Sequence, residues 1–147
     1  MQKKLKSSKK KVFFNASVIL AGLKSPTGGS AKLLTWSKTQ KIKGVISEII
    51  LDEVVRNIPK FGFEEKQVRL WIKSVFSHIE KAPKTKMVTR CQKVIIDPSD
   101  AHVLASCYET KAYFLVTLDK KHLLILKKKI RMVKIVSPAE LIEIFSQ

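Results

Sequence analysis

The feature that most narrows the fold is an alternation. Short apolar runs of strand length recur along the chain, and helix-length runs fill the gaps between them. VFFNASVIL reads as a short buried strand passing into a helix. SPTGGSAKLL reads as a turn and a helix start, with Gly28 and Gly29 breaking the chain and Ser30 placed to cap. Residues 44–46 suit a second strand, and Ser47 suits the N-cap of the helix EIILDEVVRNI, which Pro59 and Gly62 end. FEEKQVRLWIKSVFSHIE reads as the next helix, with Phe63, Val68, Leu70, Trp71, Val75, Phe76 and Ile79 as its apolar side and Pro83 as its stop. MVTRCQKVII reads as extended. A helix follows from about Pro98 to Thr110, then a strand in YFLVTLD, a short HLLIL segment, a strand in IRMVKIVS and a closing helix on Pro138. Strands alternating with helices imply an α/β fold. The expected form is a three-layer α/β/α sandwich on a small parallel sheet with right-handed crossovers. Residues 1–10 read as a basic tail and residues 11–147 as the domain.

Composition limits the functional classes. Of 147 residues, 45% are hydrophobic, which is too apolar for a disordered chain. No run approaches the ~18 apolar residues of a membrane span. The basic start MQKKLKSSKKK is followed by no long apolar segment, so no signal peptide is read. Cys91 and Cys107 lack metal-site spacing and suit reduced core thiols, so a cytoplasmic protein without a membrane partner is expected. Lys and Arg number 29 against 12 acids, a net charge of +17. Such an excess favours a polyanionic partner, nucleic acid before an anionic membrane. The bases cluster at Lys3, Lys4, Lys6, Lys9, Lys10 and Lys11, and again from Lys120 and Lys121 to Lys134. Lys11, Lys120 and Lys121 are the candidate nucleic-acid contacts.

Against that background the acids of residues 95–124 stand out. Asp97 and Asp100 open a helix-like run, and Asp119 ends a strand-like one. Each has an ordinary local explanation. Asp97, Pro98 and Asp100 resemble a capping box, and Asp after a strand is a common turn residue. In an open parallel sheet, however, these termini share one rim, where ligands bind. Carboxylates gathered there repel unless protonated or bridged by a hard cation such as Mg²⁺ or Mn²⁺. The helix from Glu48 adds a fourth acid. Projected at about 100° per residue, Asp52 falls in the polar gap while Glu53 falls between Ile49 and Ile50. Two readings of Glu53 stay open, a carboxylate paired with Lys or Arg at the stripe's edge and a cation ligand. The three histidines share no zinc spacing and read as structural. Neither a nucleophile elbow nor a phosphate-binding GxxxxGK[ST] loop occurs.

VFFNASVILAGL, ISEIILDEVVRN, DPSDAHVLASC, YFLVTLDKKHLL and IVSPAELIEIF together resemble the PIN-domain family, in particular its VapC-like toxin components. The resemblance covers nearly everything after the basic tail. It implies a small parallel sheet with helices on both faces and metal-dependent cleavage of single-stranded RNA by clustered acids. Carried over by position, the family's second, third and fourth acids fall on Glu53, Asp100 and Asp119, with Asp97 as a close neighbour. Thr117 matches a small hydroxyl residue that helps to position a ligand, and Ser17 is a second such candidate. The family's first acid is Asp, and this chain has Asn15. A carboxamide oxygen can ligate a metal, but it brings no charge and no carboxylate base. The site should therefore hold a divalent ion more weakly.

The resemblance thus implies an Mg²⁺- or Mn²⁺-dependent endoribonuclease. Catalysis rests on Glu53, Asp100, Asp119 and Asn15, and metal binding on these with Asp97. Its expected partners are RNA, an antitoxin protein and a second copy of the chain. The alternative is a non-catalytic RNA-binding module on the same fold, which Asn15 and the basic clusters motivate. A third reading is a scaffold for a protein partner through exposed apolar helix surface.

Overall fold

Five short strands form one parallel sheet in the computed structural model, which describes residues 10–147. Lys3, Lys4, Lys6 and Lys9 of the basic tail lie outside the described residues. The strands are β1 (Lys11–Phe14), β2 (Lys43–Ser47), β3 (His78–Glu80), β4 (Phe114–Val116) and β5 (Lys134–Val136). Their spatial order is β3-β2-β1-β4-β5, every pair parallel. Val12, Phe13, Phe14, Leu115 and Val116 are fully buried, as strands covered on both faces must be.

Helices fill the crossovers. α1 (Ala16–Lys24) and α2 (Gly29–Lys38) join β1 to β2. α3 (Glu48–Asn57) and α4 (Glu65–Val75) join β2 to β3, and α5 (Thr85–Gln92) and α6 (Ala101–Thr110) join β3 to β4. α7 (Pro138–Ser146) follows β5. Packing groups α1–α4 with α7, and α5 with α6, giving two helical layers about the sheet. The chain winds outward from β1 to β3, then returns to the other side of β1 for β4. The switch point therefore lies between β1 and β4, where a parallel sheet opens a crevice at its carboxyl ends.

Local signals account for most boundaries. The Ser47 hydroxyl accepts the Ile50 N–H at 3.2 Å and starts α3. A 3₁₀ turn on Pro59 and left-handed Gly62 (φ 78°) end that segment. Ser137 and Glu140 form a reciprocal capping box on α7. Two segments differ from the sequence reading. MVTRCQKVII, read as extended, begins with the larger part of α5, because Met87, Val88 and Cys91 fall at helical spacing against the α6 side. Its β-branched residues suggest a strand, and packing overrides that propensity. The helix read through residue 80 stops at Val75. Phe76 turns extended, and His78–Glu80 is an edge strand too short to show alternation. Leu70 is 64% exposed and Phe63 40%, so neither joins the core as read. Ser30 is buried, and the α2 N-cap is Gly28 with no side-chain bond. HLLIL contains a 3₁₀ turn, Leu124–Leu126.

Gly44 shows how closely α2 approaches the sheet. A Cβ there would lie 2.2 Å from the Ser37 oxygen, whose hydroxyl donates to the Val75 carbonyl at 2.7 Å. Only a hydrogen fits, so glycine sets the spacing of strand and helix. Both cysteines are free and buried, and burial pushes both thiols up, Cys107 far above its ordinary range. They are inert core groups, as read from their spacing.

Candidate active site

Asn15 and Thr117 are the first residues beyond the carboxyl ends of β1 and β4, directly at the switch point. They continue the ladder. The Asn15 N–H donates to the Val116 carbonyl at 3.0 Å, and the Thr117 N–H to the Val136 carbonyl at 3.0 Å. Both side chains are buried, and they meet. The Thr117 hydroxyl donates to Asn15 Oδ1 at 3.0 Å, and the Ser17 hydroxyl donates to the same oxygen at 2.7 Å. Each hydroxyl in turn accepts an N–H from the loop after β4, Leu118 onto Ser17 Oγ and Asp119 onto Thr117 Oγ1, both at 3.1 Å. One carboxamide oxygen thus ties the start of α1 to the β4 loop.

This network bears on the ligand role expected of Asn15. A carbonyl oxygen has two lone pairs, and both are engaged here. Ligation through Oδ1 would forfeit one of the two hydrogen bonds. The other end of the carboxamide is a donor and repels a cation. A carboxylate at this position could accept both hydroxyls on one oxygen and keep the second free.

The acids gather above this floor. Glu53 lies on the inner side of α3 and Asp52 is exposed, as the helical projection requires. The partner of Glu53 is not a Lys or Arg: His102 Nε2, from α6, lies 2.7 Å from Glu53 Oε1. His102 is 9% exposed, and its Nδ1 is buried without a partner among the described residues. Asp97 caps the 3₁₀ turn Pro98–Asp100, where Oδ1 accepts the Ser99 N–H at 3.0 Å and its hydroxyl at 2.8 Å. These bonds hold the Asp97 carboxyl below its ordinary range. The reciprocal bond of a capping box, from Asp100 back to residue 97, does not form. Asp119 does serve its turn: Oδ1 accepts the N–H groups of Lys121 at 3.1 Å and His122 at 2.9 Å.

Asp100 shows that these carboxylates share one space. Burial, then the charges of Asp97, Asp119 and Glu53, push its carboxyl above the ordinary range, while His122 pulls the other way. Ligating atoms of Asp97, Asp100 and His122 lie within 4.8 Å of one another, and His122 Nδ1 lies 3.5 Å from Asp119 Oδ2. None of the four acids pairs with Lys or Arg among the described residues, in a chain of net charge +17. Oxygen donors with one imidazole fit a divalent ion of the Mg²⁺ or Mn²⁺ type.

A family model described as PIN domain matches residues 11–121. The chain belongs to the PIN-domain family. PIN domains are in general nucleases that use divalent metals. Among solved structures, VapBC2 from Rickettsia felis, bound to a DNA fragment from its promoter, is similar at TM-score 0.63 and 15% identity, over 86% of this chain and 98% of that one. PAE2754 from Pyrobaculum aerophilum is similar at TM-score 0.61 and 17% identity, over 95% and 98%. A toxin–antitoxin complex from Klebsiella pneumoniae is similar at TM-score 0.59 and 16% identity, over 86% and 97%. These likenesses bear out the α/β sandwich with its small parallel sheet. No curated protein matches the chain. Among the described residues, no helix is long and apolar enough to cross a membrane.

Two residues beside these acids were read as merely structural. His122 follows Asp119 by three residues, a turn spacing that could have drawn attention to it. His102 left no such signal, because it meets Glu53 only through tertiary packing of α6 near α3. Lys120 and Lys121 are exposed beside the acids. Lys11 is not there: it sits at the amino end of β1, and its ammonium donates to the Thr110 carbonyl at 2.9 Å. It closes the carboxyl end of α6, a helix-dipole contact far from the acids.

Proposed function

We propose that this PIN domain is an endoribonuclease that cleaves single-stranded RNA with Mg²⁺ or Mn²⁺, and that it is the toxin of a toxin–antitoxin pair. One observation carries the reading. Glu53, Asp97, Asp100 and Asp119 converge at the switch point with no ion pair to Lys or Arg among the described residues, so their mutual repulsion is left for a cation to relieve. A bound divalent ion would polarise the phosphoryl oxygen and supply an activated water. Glu53, Asp100 and Asp119 would hold it, with Asp97 and His122 at its edge. His102 orients Glu53 through its 2.7 Å contact, as an outer partner orients a ligand. Ser17 and Thr117 fix Asn15, which holds the floor of the site in place and leaves it one negative charge short. Lys120 and Lys121 would offset phosphate charge beside the acids.

The antitoxin reading draws on two of the similar structures, which are themselves toxin–antitoxin assemblies. It also draws on a cleft of about 520 Å³ between α1, α2 and α4, lined by Leu23, Pro26, Leu34, Phe63, Val68 and Trp71. Exposed apolar side chains there suit a peptide segment of a partner. Asn15 favours a second reading, RNA binding without turnover, because the oxygen that could ligate is already used. Cleavage of single-stranded RNA with Mg²⁺ or Mn²⁺ decides between them. The nuclease reading requires cleavage that EDTA and Asp100→Asn each abolish. Cleavage that survives both overturns it. The binding reading requires none until Asn15→Asp restores the missing charge.

A further inference from the structure

The acids occupy the carboxyl ends of the strands, and the amino ends carry the opposite charge. Lys11, Tyr113 and Lys134 lie side by side across β1, β4 and β5. The Tyr113 N–H donates to the Lys11 carbonyl at 3.0 Å and the Lys134 N–H to the Tyr113 carbonyl at 2.8 Å. From here a groove of about 520 Å³ opens at the edge formed by β5. Tyr113, Lys127, Lys128, Arg131, Met132 and Lys134 line it, and no acid does. Lys127 pairs with Glu140. Lys128, Arg131 and Lys134 have no ion pair among the described residues. Tyr113 is 46% exposed, with the Lys10 ammonium 3.8 Å from its ring centre.

We propose that this groove is a second contact for single-stranded RNA, which holds the strand at the end of the sheet opposite the acids. Three unpaired cations, reinforced by Lys10 over Tyr113, give a phosphate-binding surface, and Arg131 can grip a phosphate with two parallel N–H groups. The floor is apolar, with Met132, Ile130 and Val133 beside an exposed aromatic ring. Cations around an aromatic and apolar floor suit an unpaired strand, whose bases are free to pack. A duplex hides its base faces, and an acidic protein segment has no bases to offer. The acidic rim repels phosphate, so a PIN domain with a carboxylate-rich site gains RNA affinity from bases elsewhere. Four residue steps along β4 separate Tyr113 from Thr117, about 13 Å at strand rise. One strand can therefore touch both ends. Only the choice of RNA rests on the proposed function.

The test is fluorescence anisotropy of a labelled single-stranded RNA on the full chain, in EDTA, over a salt series. EDTA removes cleavage from the readout, so a failed nuclease reading leaves this measurement intact. Lys128→Ala/Arg131→Ala/Lys134→Ala should lower the slope of log affinity against log salt by about two, at about 0.7 for each phosphate no longer neutralised. Affinity at low salt should fall by at least about tenfold. Tyr113→Leu should weaken binding several-fold with the slope unchanged, because it removes packing and no charge. Circular dichroism checks that each variant keeps its fold, and Tyr113→Leu carries the test alone if the triple variant does not. Unchanged affinity and slope in the folded triple variant overturn the proposal. So does tighter binding of duplex RNA, or an equal effect of the three substitutions on an acidic peptide probe.

Discussion

The two ends of this sheet are made by the same strands and differ in almost every other respect. At the carboxyl ends, Glu53, Asp97, Asp100 and Asp119 crowd together around a hydrogen-bonded floor, and Asp100 is held above its ordinary carboxylate range. At the amino ends, Lys11 closes a helix terminus, Gly44 lets a helix sit on the sheet, and Lys128, Arg131 and Lys134 line a groove with no acid in it. One end crowds its like charges into a small space, and the other spreads them along an open groove. The contrast makes the carboxyl ends the candidate for the chemistry, since perturbed carboxylates cluster where a ligand is bound.

The strongest way to break the comparison is Asp100→Asn. With this residue's folded pKa raised above the unfolded value, its contribution to stability is complete below the unfolded pKa. That contribution is lost as pH rises through the folded pKa, because the folded state binds the proton more readily. At neutral pH in EDTA the charged group therefore opposes folding. Asp100→Asn should melt above the parent chain there, and the two melts should converge as the pH falls below the unfolded value. Mg²⁺ or Mn²⁺ should raise the parent's melting temperature and not the variant's, and cleavage should fall by more than about 100-fold. A variant that melts lower at neutral pH in EDTA would rule out the repulsion at Asp100.

His102→Ala comes next. It takes the 2.7 Å partner from Glu53 and should cost about 10–100-fold in Mn²⁺ affinity by titration calorimetry. Gly44→Ala probes the other end. Its Cβ would displace Ser37 and its bond to Val75, at about 1–3 kcal/mol in urea unfolding, with metal affinity unchanged. The smallest effect is expected of Thr117→Val. It removes one donor to Asn15 Oδ1 and the acceptor for the Asp119 N–H, at about 1 kcal/mol. It also frees a lone pair on Asn15. If Oδ1 can then ligate, Mn²⁺ affinity should hold or rise despite the reduced stability. A fall in affinity would instead make the network a scaffold for Asp119.

The alternation of apolar runs was enough to read the α/β sandwich, because each strand buried on both faces needs an unbroken apolar run. Ser47 as a cap and Glu53 over Asp52 were equally legible, since both follow from helical geometry within a few residues. α5 and β3 were not. One is short and rich in β-branched residues, and the other has three residues at an edge, so packing outweighed propensity in both.

The site divides along the same line. Residue types and their positions at a helix start or a strand end marked Asp97, Asp100 and Asp119 as candidates, and the PIN resemblance added Asn15, Thr117 and Ser17. The order β3-β2-β1-β4-β5 is a long-range property, and it alone put Asn15 beside Thr117, 102 residues apart in sequence. It also brought His102 to Glu53. A sequence on its own determines what each residue can donate, accept or repel. Which of those capacities is used up, as both lone pairs of Asn15 Oδ1 are, depends on neighbours that only the folded chain supplies.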